Sequence, residues 1–315
     1  MIKKCILVCM FLLLTVTSAA AQDVPNPPLD DTPFEERIYE IFVPEREEND
    51  DSAMPLLLVL HGASGTGAGS RRWFSFDEYA QDAGFIVVYP TGIANNWDFG
   101  GGIHTRTRIF RSDDVGYLVW LVDQVALEYP IDRERVYATG FSNGAQMAYY
   151  LACRAPETFA AIAGVAAPLS GATAAGCAEA TTPVLMIMGT LDPILSWQPQ
   201  RTASGQIVNL GANGSVAFWS QRNQCSEAQD AIIIEDLPDS DTEDRSTVRR
   251  IGLTDCTDGA QVQFYGVIGG GHTWPGHPIT VTIQLGATNL DIDATQIIVD
   301  WLTQLSELED TQTDS

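Results

Sequence analysis

The sequence is poor in positive charge: 17 of its 315 residues are Lys or Arg, against 41 Asp plus Glu, for a net charge of −24. Lysine occurs only at Lys3 and Lys4, and every later basic residue is Arg. A surface of this sign repels phosphate backbones and anionic lipid, which excludes nucleic acid as a partner. The acid excess fits a saline habitat, and equally an acidic secreted protein whose charge serves solubility. Beyond its start the chain has no run of about 18 uninterrupted apolar residues, so no membrane span is expected after processing. Close CxxC spacing is missing as well, which removes the usual metal-site pattern. Histidine is scarce, with 4 in all, so any imidazole chemistry has few candidates.

The start itself is different in kind. Lys3 and Lys4 precede an apolar stretch from Cys5 to about Val16, followed by Ser18, Ala19, Ala20 and Ala21. This reads as a cleavable secretory signal over residues 1–21, with the mature protein extracellular or periplasmic. A lipid anchor on Cys9 is disfavoured because Val8 stands where a small residue is wanted. Removal of the signal raises the imbalance to 15 Arg against 41 acids, or −26. It also leaves four cysteines, Cys153, Cys177, Cys225 and Cys256. In an oxidising compartment an even count favours disulfides, with three possible connectivities.

Residues 22–34 form a Pro- and Asp-rich leader, residues 35–306 the folded domain, and residues 307–315 an acidic tail. Apolar runs of strand length lie at Arg37–Val43, Pro55–Leu60, Phe85–Tyr89, Val136–Thr139, Ala160–Ala166, Pro183–Met188 and Val262–Ile268. Helical patterns alternate with them. Val115, Leu118, Val119, Val122, Val125 and Ala126 share one face behind a capping Asp113 or Asp114. Ala294, Ile297, Ile298, Trp301, Leu302 and Leu305 repeat the pattern near the end. No repeat or linker divides the chain, so the expected fold class is a single α/β domain with a mostly parallel sheet flanked by helices. The acids from Glu235 to Arg245 read as a solvated loop: Asp239, Asp241 and Glu243 alternate, but the glycine and closing Glu of a calcium loop are missing.

The chemistry concentrates at Gly140, Phe141, Ser142, Asn143 and Gly144. This GxSxG follows a strand and opens a helix, the setting in which a serine is held on a strained turn with its hydroxyl exposed. A serine hydroxyl needs a neutral imidazole to take its proton and a carboxylate to orient that imidazole. In the chain order serine, acid, base, His61 and His104 come too early. His272, after the strand Val262–Ile268 and three glycines, is the base on a mobile loop; His277, beyond Pro275, is a surface residue. Asp192 follows the buried strand Pro183–Met188 and takes the acid role. Gly62, Ala63 and Ser64, with Gly65, Gly67 and Gly69, lack dinucleotide-loop spacing and read instead as an oxyanion loop acting with the Asn143 amide. His61 is then a structural hydrogen-bonding residue. The set requires no cofactor and no metal.

With these residues identified, the chain resembles the polyhydroxybutyrate depolymerase and feruloyl esterase group, the LpqC-like carbohydrate esterases of family 1, within the α/β-hydrolase superfamily. The likeness runs from about Arg37 to Leu305 and rests on LHG (60–62), DDVGYL (113–118), GFSNGAQMAY (140–149), GTLDP (189–193) and GGGHTWPG (269–276). It implies the triad Ser142, Asp192 and His272, and the amides of Ala63 and Asn143 as oxyanion hole. It further implies disulfides Cys153–Cys177 and Cys225–Cys256, and Trp197 and Trp274 as lining of the acyl pocket or as core. The loop from Asn95 to Arg111, with Trp97, Arg106, Arg108 and Arg111, departs from the family, as does the stretch from Ser196 to Asn213. Both are expected near the mouth. The reading is a serine carboxylesterase on small aromatic or plant-polymer esters, feruloyl-esterase-like, with polyester depolymerase as the alternative and a serine peptidase or an inactive binding module behind it.

Overall fold

A computed structural model describes residues 29–47, 50–100, 103–104, 109–278 and 285–313. The signal, most of the leader and the arginines Arg106 and Arg108 lie outside the described residues. The chain opens with β1 (Tyr39–Phe42) and β2 (Met54–Leu60), then α1 (Gly67–Phe74) and α2 (Phe76–Ala83), and returns as β3 (Ile86–Pro90). A small ribbon, β4 (Ile103–His104) with β5 (Ile109–Phe110), precedes α3 (Asp114–Glu128). Next come β6 (Ile131–Phe141), α4 (Asn143–Arg154), β7 (Ala161–Val165), α5 (Gly171–Ala175) and β8 (Val184–Gly189). A second ribbon, β9 (Gln200–Arg201) with β10 (Ile207–Asn209), leads into α6 (Gly211–Arg222). The chain ends with β11 (Ile232–Asp236), β12 (Thr247–Leu253), β13 (Val262–Ile268) and α7 (Ala294–Thr313).

Nine strands form one sheet in the order β1-β3-β2-β6-β7-β8-β13-β12-β11. The six central strands from β3 to β13 run parallel, while the pairings β1–β3 at one edge and β13–β12 and β12–β11 at the other are antiparallel. β2, β3, β7 and β8 are buried along their whole length, as strands covered on both faces must be. One face packs on α3, α4 and α6 through Leu118, Tyr149 and Trp219; the other packs on α2 and α7 through Phe76, Ile298 and Trp301. A parallel sheet of this order, with a sharp strand-to-helix turn at its centre, is the α/β-hydrolase fold.

All seven expected strands are present. The hairpin β11–β12 is the difference: Glu235 and Asp236, read as loop, pair with Arg250 and Arg249 across it. This edge strand is largely exposed, with Ile234 at 66%, so no burial pattern marks it in the sequence. Of the two candidate caps, Asp113 is the one that accepts from the Gly116 amide, at 2.9 Å. Asp114 is instead buried and paired with Arg37 at 2.6 Å. The last helix continues to Thr313, beyond Leu305 where its apolar face stops. The four cysteines form Cys153–Cys177, tying the last turn of α4 to the end of α5, and Cys225–Cys256, tying the end of α6 to the approach to β13.

Candidate active site

β6 runs along the middle of the sheet and ends at Phe141, so Ser142 stands at the carboxyl end of the parallel strands, where open α/β sheets present their sites. Its backbone sits at φ 56°, ψ −114°, a conformation that costs of order 1–3 kcal/mol for a non-glycine residue. The surroundings hold it there. The Ser142 amide donates to the Val165 carbonyl on β7 at 2.8 Å. α4 then departs so close to β2 that a Cβ on Gly144 would lie 2.2 Å from the Leu60 carbonyl oxygen. Glycine is the residue that permits this approach, which is why the GxSxG spacing carries information.

His272 lies in the loop after β13, 4% exposed. Its Nε2 is 2.9 Å from Ser142 Oγ and its Nδ1 is 2.7 Å from Asp192 Oδ2. The carboxylate accepts only, so Nδ1 carries the proton and Nε2 is left free to accept from the serine hydroxyl. The other oxygen of Asp192 accepts from the amides of Ile194 and Leu195 at 2.7 and 2.8 Å. The loop carrying His272, expected to be mobile, is pinned: His272 N donates to Leu285 O at 2.6 Å and Gly271 N to Ala287 O at 2.8 Å. It also locks to the acid's turn, since Leu191 N donates to Gly270 O at 2.9 Å and a Cβ on Gly189 would meet Gly270 O at 2.4 Å. Thus three residues from three separate loops converge in one hydrogen-bonded line.

The loop after β2 completes the surroundings. The Ser64 amide donates to Asn95 O and the Gly65 amide to Gly62 O. Among the described residues the amides of Ala63 and Asn143 donate to no protein acceptor. That of Asn143 belongs to the first turn of α4, where helix amides lack an internal partner. His61 supports this loop from below. Gly92 N donates to its Nε2 at 2.9 Å and its Nδ1 donates to Gly62 O at 2.7 Å. Burial pushes its pKa down to about 4, so the ring is neutral and both nitrogens are occupied by backbone.

The Asn143 side chain adds a contact that the motif alone does not reveal. Its Oδ1 accepts from Trp97 N at 2.7 Å and its Nδ2 donates to Trp97 O at 3.1 Å. The Trp97 indole N–H in turn donates to His61 O at 3.0 Å. Asp114 anchors the same segment, accepting from Asp98 N at 2.6 Å. The amide-bearing start of α4 and the loop after β2 are therefore braced against one segment, Asn95 to Asp98.

Several expectations about the mouth need correction. Trp97 is 1% exposed and serves as a strut beneath the loop after β2 rather than as part of the entrance. Trp274 is fully buried, stacked on Phe74 at 4.0 Å with its N–H on Thr295 Oγ1 at 3.0 Å; it is core, behind the site. Trp197 packs against Phe264 and Gly266 of β13. A pocket of about 240 Å³ instead opens between the loop after β2 and α1, with Ala63 at its rim and Phe74, Phe141 and Trp73 in its walls. Phe141 touches the triad from this side, its ring 5.0 Å from that of His272. Trp73 went unnoticed because α1 is short and opens on glycines, which are weak helix signals.

This geometry has relatives. The profile of the family described as Esterase PHB depolymerase matches residues 38–194, which contain Ser142 and Asp192. Over 256 residues the chain is 30% identical to the putative esterase NocK of Nocardia uniformis subsp. tsuyamanensis, covering 79% of this chain and 74% of that one. It is 34% identical over 180 residues to feruloyl esterase B of Thermothelomyces thermophilus, covering 55% of this chain and 56% of the other, so it spans about half of that relative's length. The solved acetyl xylan esterase of Aspergillus awamori superposes with a TM-score of 0.48 at 17% identity, over 72% of this chain and 86% of that one. Profile and full-length relative agree with the sheet order and the serine turn: the chain belongs to the Esterase PHB depolymerase family.

Proposed function

We propose that the protein is a secreted serine ester hydrolase that works through an acyl-enzyme, with Ser142 as nucleophile, His272 as general base and Asp192 as the residue that orients it. The observation that carries this reading is the line Asp192–His272–Ser142, at 2.7 and 2.9 Å, ending on a serine with a strained backbone. Ser142 Oγ attacks the ester carbonyl while its proton passes to His272 Nε2. The carbonyl oxygen becomes an oxyanion that the Ala63 and Asn143 amides stabilise. His272 then gives the proton to the departing alkoxide, and the alcohol leaves. Water repeats the sequence on the acyl-enzyme, His272 taking its proton and returning it to Ser142 as the acid departs. Asp192 keeps Nδ1 protonated throughout, and the two backbone amides on its second oxygen fix its plane.

For substrate, a small aromatic ester of the feruloyl kind fits best, since the pocket beside Phe141 is narrow and walled by aromatic rings. Polyester or hydroxybutyrate-oligomer hydrolysis is the second reading, favoured by the description of the family that matches residues 38–194. Secretion rests on the signal-like residues 1–21 and on two disulfides, which persist in oxidising compartments. Among the described residues no helix is long and apolar enough to cross a membrane. The test is Ser142→Ala. Esterase activity on p-nitrophenyl acetate and labelling by a fluorophosphonate are expected to vanish together, with a rate loss of about 10⁵-fold or more and an unchanged circular dichroism spectrum. Near-normal turnover in this variant would end the mechanism.

A further inference from the structure

The pocket between the loop after β2 and α1 carries more than a size. Its floor is apolar, made by Phe74 and Phe141. Trp73 stands at the side, 46% exposed, although an indole of this size ordinarily seeks cover. Arg72 stands next to it and also lines the pocket. The neighbouring Arg71 is occupied by Asp77 and Glu40, whereas Arg72 makes no ion pair or hydrogen bond among the described residues. Arg154, Arg201 and Arg222 also bond no carboxylate, donating to a hydroxyl or to backbone carbonyls instead; what sets Arg72 apart is its place beside Trp73 in the lining of this pocket.

Position makes this guanidinium relevant to the reaction. Phe141 precedes Ser142 and lies against His272, while Ala63 supplies one of the two amides on the rim. Ser142 does not itself line the pocket, but its chain neighbour Phe141 and the loop after β2 do, so the pocket lies beside any ester held at Ser142. The volume of about 240 Å³ falls below the roughly 300–1,000 Å³ of sites for drug-sized ligands. One substituted ring is of a size with it.

On this basis, and resting on the ester-hydrolase reading, we propose that the pocket is the specificity subsite and that its substrate is an aromatic ester bearing an ionised carboxylate on the ring, the ring lying on Trp73 and the carboxylate meeting Arg72. The net negative charge of the chain disfavours anions over the surface as a whole, so attraction at Arg72 selects the pose as well as the substrate. The guanidinium is suited to the task because it offers several donors in the plane of a carboxylate. An exposed pair of this kind is weakened by salt, which gives the contact a signature that a purely steric wall lacks.

The test uses the secreted full-length enzyme and two matched esters, monomethyl terephthalate and methyl 4-carbamoylbenzoate, which differ in charge but little in shape. The wild type is expected to favour the charged ester about fivefold in kcat/KM at low ionic strength, mostly through KM, with the preference fading as salt is added. Arg72→Gln is expected to bring the ratio to about one, and Trp73→Ala to raise KM about tenfold for both esters. Arg133→Gln, on a surface pair with Asp123, should leave the ratio as in the wild type. A wild-type ratio of one or below, a ratio insensitive to salt, turnover of p-nitrophenyl acetate with neither aromatic ester accepted, or an Arg72→Gln enzyme that keeps the preference would overturn the proposal. Failure of the underlying reading looks different: no fluorophosphonate label on Ser142 and no hydrolysis of any ester.

Discussion

Two histidines follow strands of the same sheet, and both are nearly excluded from solvent, yet they are wired differently. His61, at the end of β2, spends one nitrogen on the Gly62 carbonyl and the other on the Gly92 amide. His272, after β13, spends one on the Asp192 carboxylate and the other on the Ser142 hydroxyl. The backbone partners of His61 neither take nor give protons at ordinary pH, so its ring is a fixed tautomer and a structural pin. In the proposed mechanism the partners of His272 are a charge that stabilises an imidazolium and a hydroxyl that supplies its proton. Burial is common to the two rings, so it does not distinguish them. What separates a pin from a base is whether its partners exchange charge with it.

The sharpest way to break this contrast is to remove each ring in turn. His272→Gln is expected to lower kcat/KM by about 10⁴-fold or more, since the hydroxyl loses its proton acceptor. His61→Gln, whose amide oxygen can accept from Gly92 N–H, should cost less than about tenfold per folded molecule, within what displaced but intact chemistry allows. Steady-state kinetics on p-nitrophenyl acetate, corrected for folded protein by circular dichroism, decides the matter. Comparable losses in the two variants would make the distinction wrong.

A smaller effect sharpens the contrast through pH. His61 has a folded pKa of about 4 because burial disfavours its charged form, against 6.5 when unfolded. Between those values the unfolded chain binds the extra proton, so stability rises with pH across the window. The contribution is complete above about pH 6.5 and is lost as pH falls toward 4, for a total of about 3 kcal/mol. Urea unfolding at several pH values should show a shallower slope between pH 4 and 6.5 for His61→Gln than for the wild type. An identical slope would mean that His61 is already charged or exposed at the lower pH.

The smallest expected effect concerns how the loop and the helix are aligned around these rings. Asn143→Ala keeps the backbone amide but releases Trp97 from its two-point contact. The predicted result is a fall in kcat of about tenfold, with KM little changed, because the contact places a donor that matters in the transition state. Stopped-flow acylation measured alongside KM reads the split. A change confined to KM would assign Asn143 to substrate binding instead.

Much of this arrangement was legible in the sequence, for reasons that differ by residue. Gly140 and Gly144 report the crossing of strand and helix because no other residue fits there, and Asp192 and His272 follow from chain order once Ser142 is placed. The central strands were visible as unbroken apolar runs such as Leu56–Leu60 because both sheet faces are covered. The edge hairpin was not, since exposed strands such as Ile232–Asp236 carry no burial period. Nor does a sequence say which way an aromatic ring faces. Trp274 sits two residues from the base and still points into the core against Phe74, while Trp73, on a helix that begins with glycines, reaches the pocket. Asn143 shows the same limit: its place in the motif marks its amide, and only the fold reveals the partner of its side chain.

The bridge from Cys153 to Cys177 bears on the serine in a way that distance along the chain conceals. Cys153 lies in the last turn of the helix whose first residue follows Ser142, and Gly144 is wedged against β2 at the opposite end. Relaxing the turn at Ser142 toward an ordinary conformation would require this helix to slide or tilt. One end of the helix is seated on backbone and the other is covalently tethered, which limits both movements. The turn at Ser142 is thus tied, through the length of one helix, to a covalent bond at its far end.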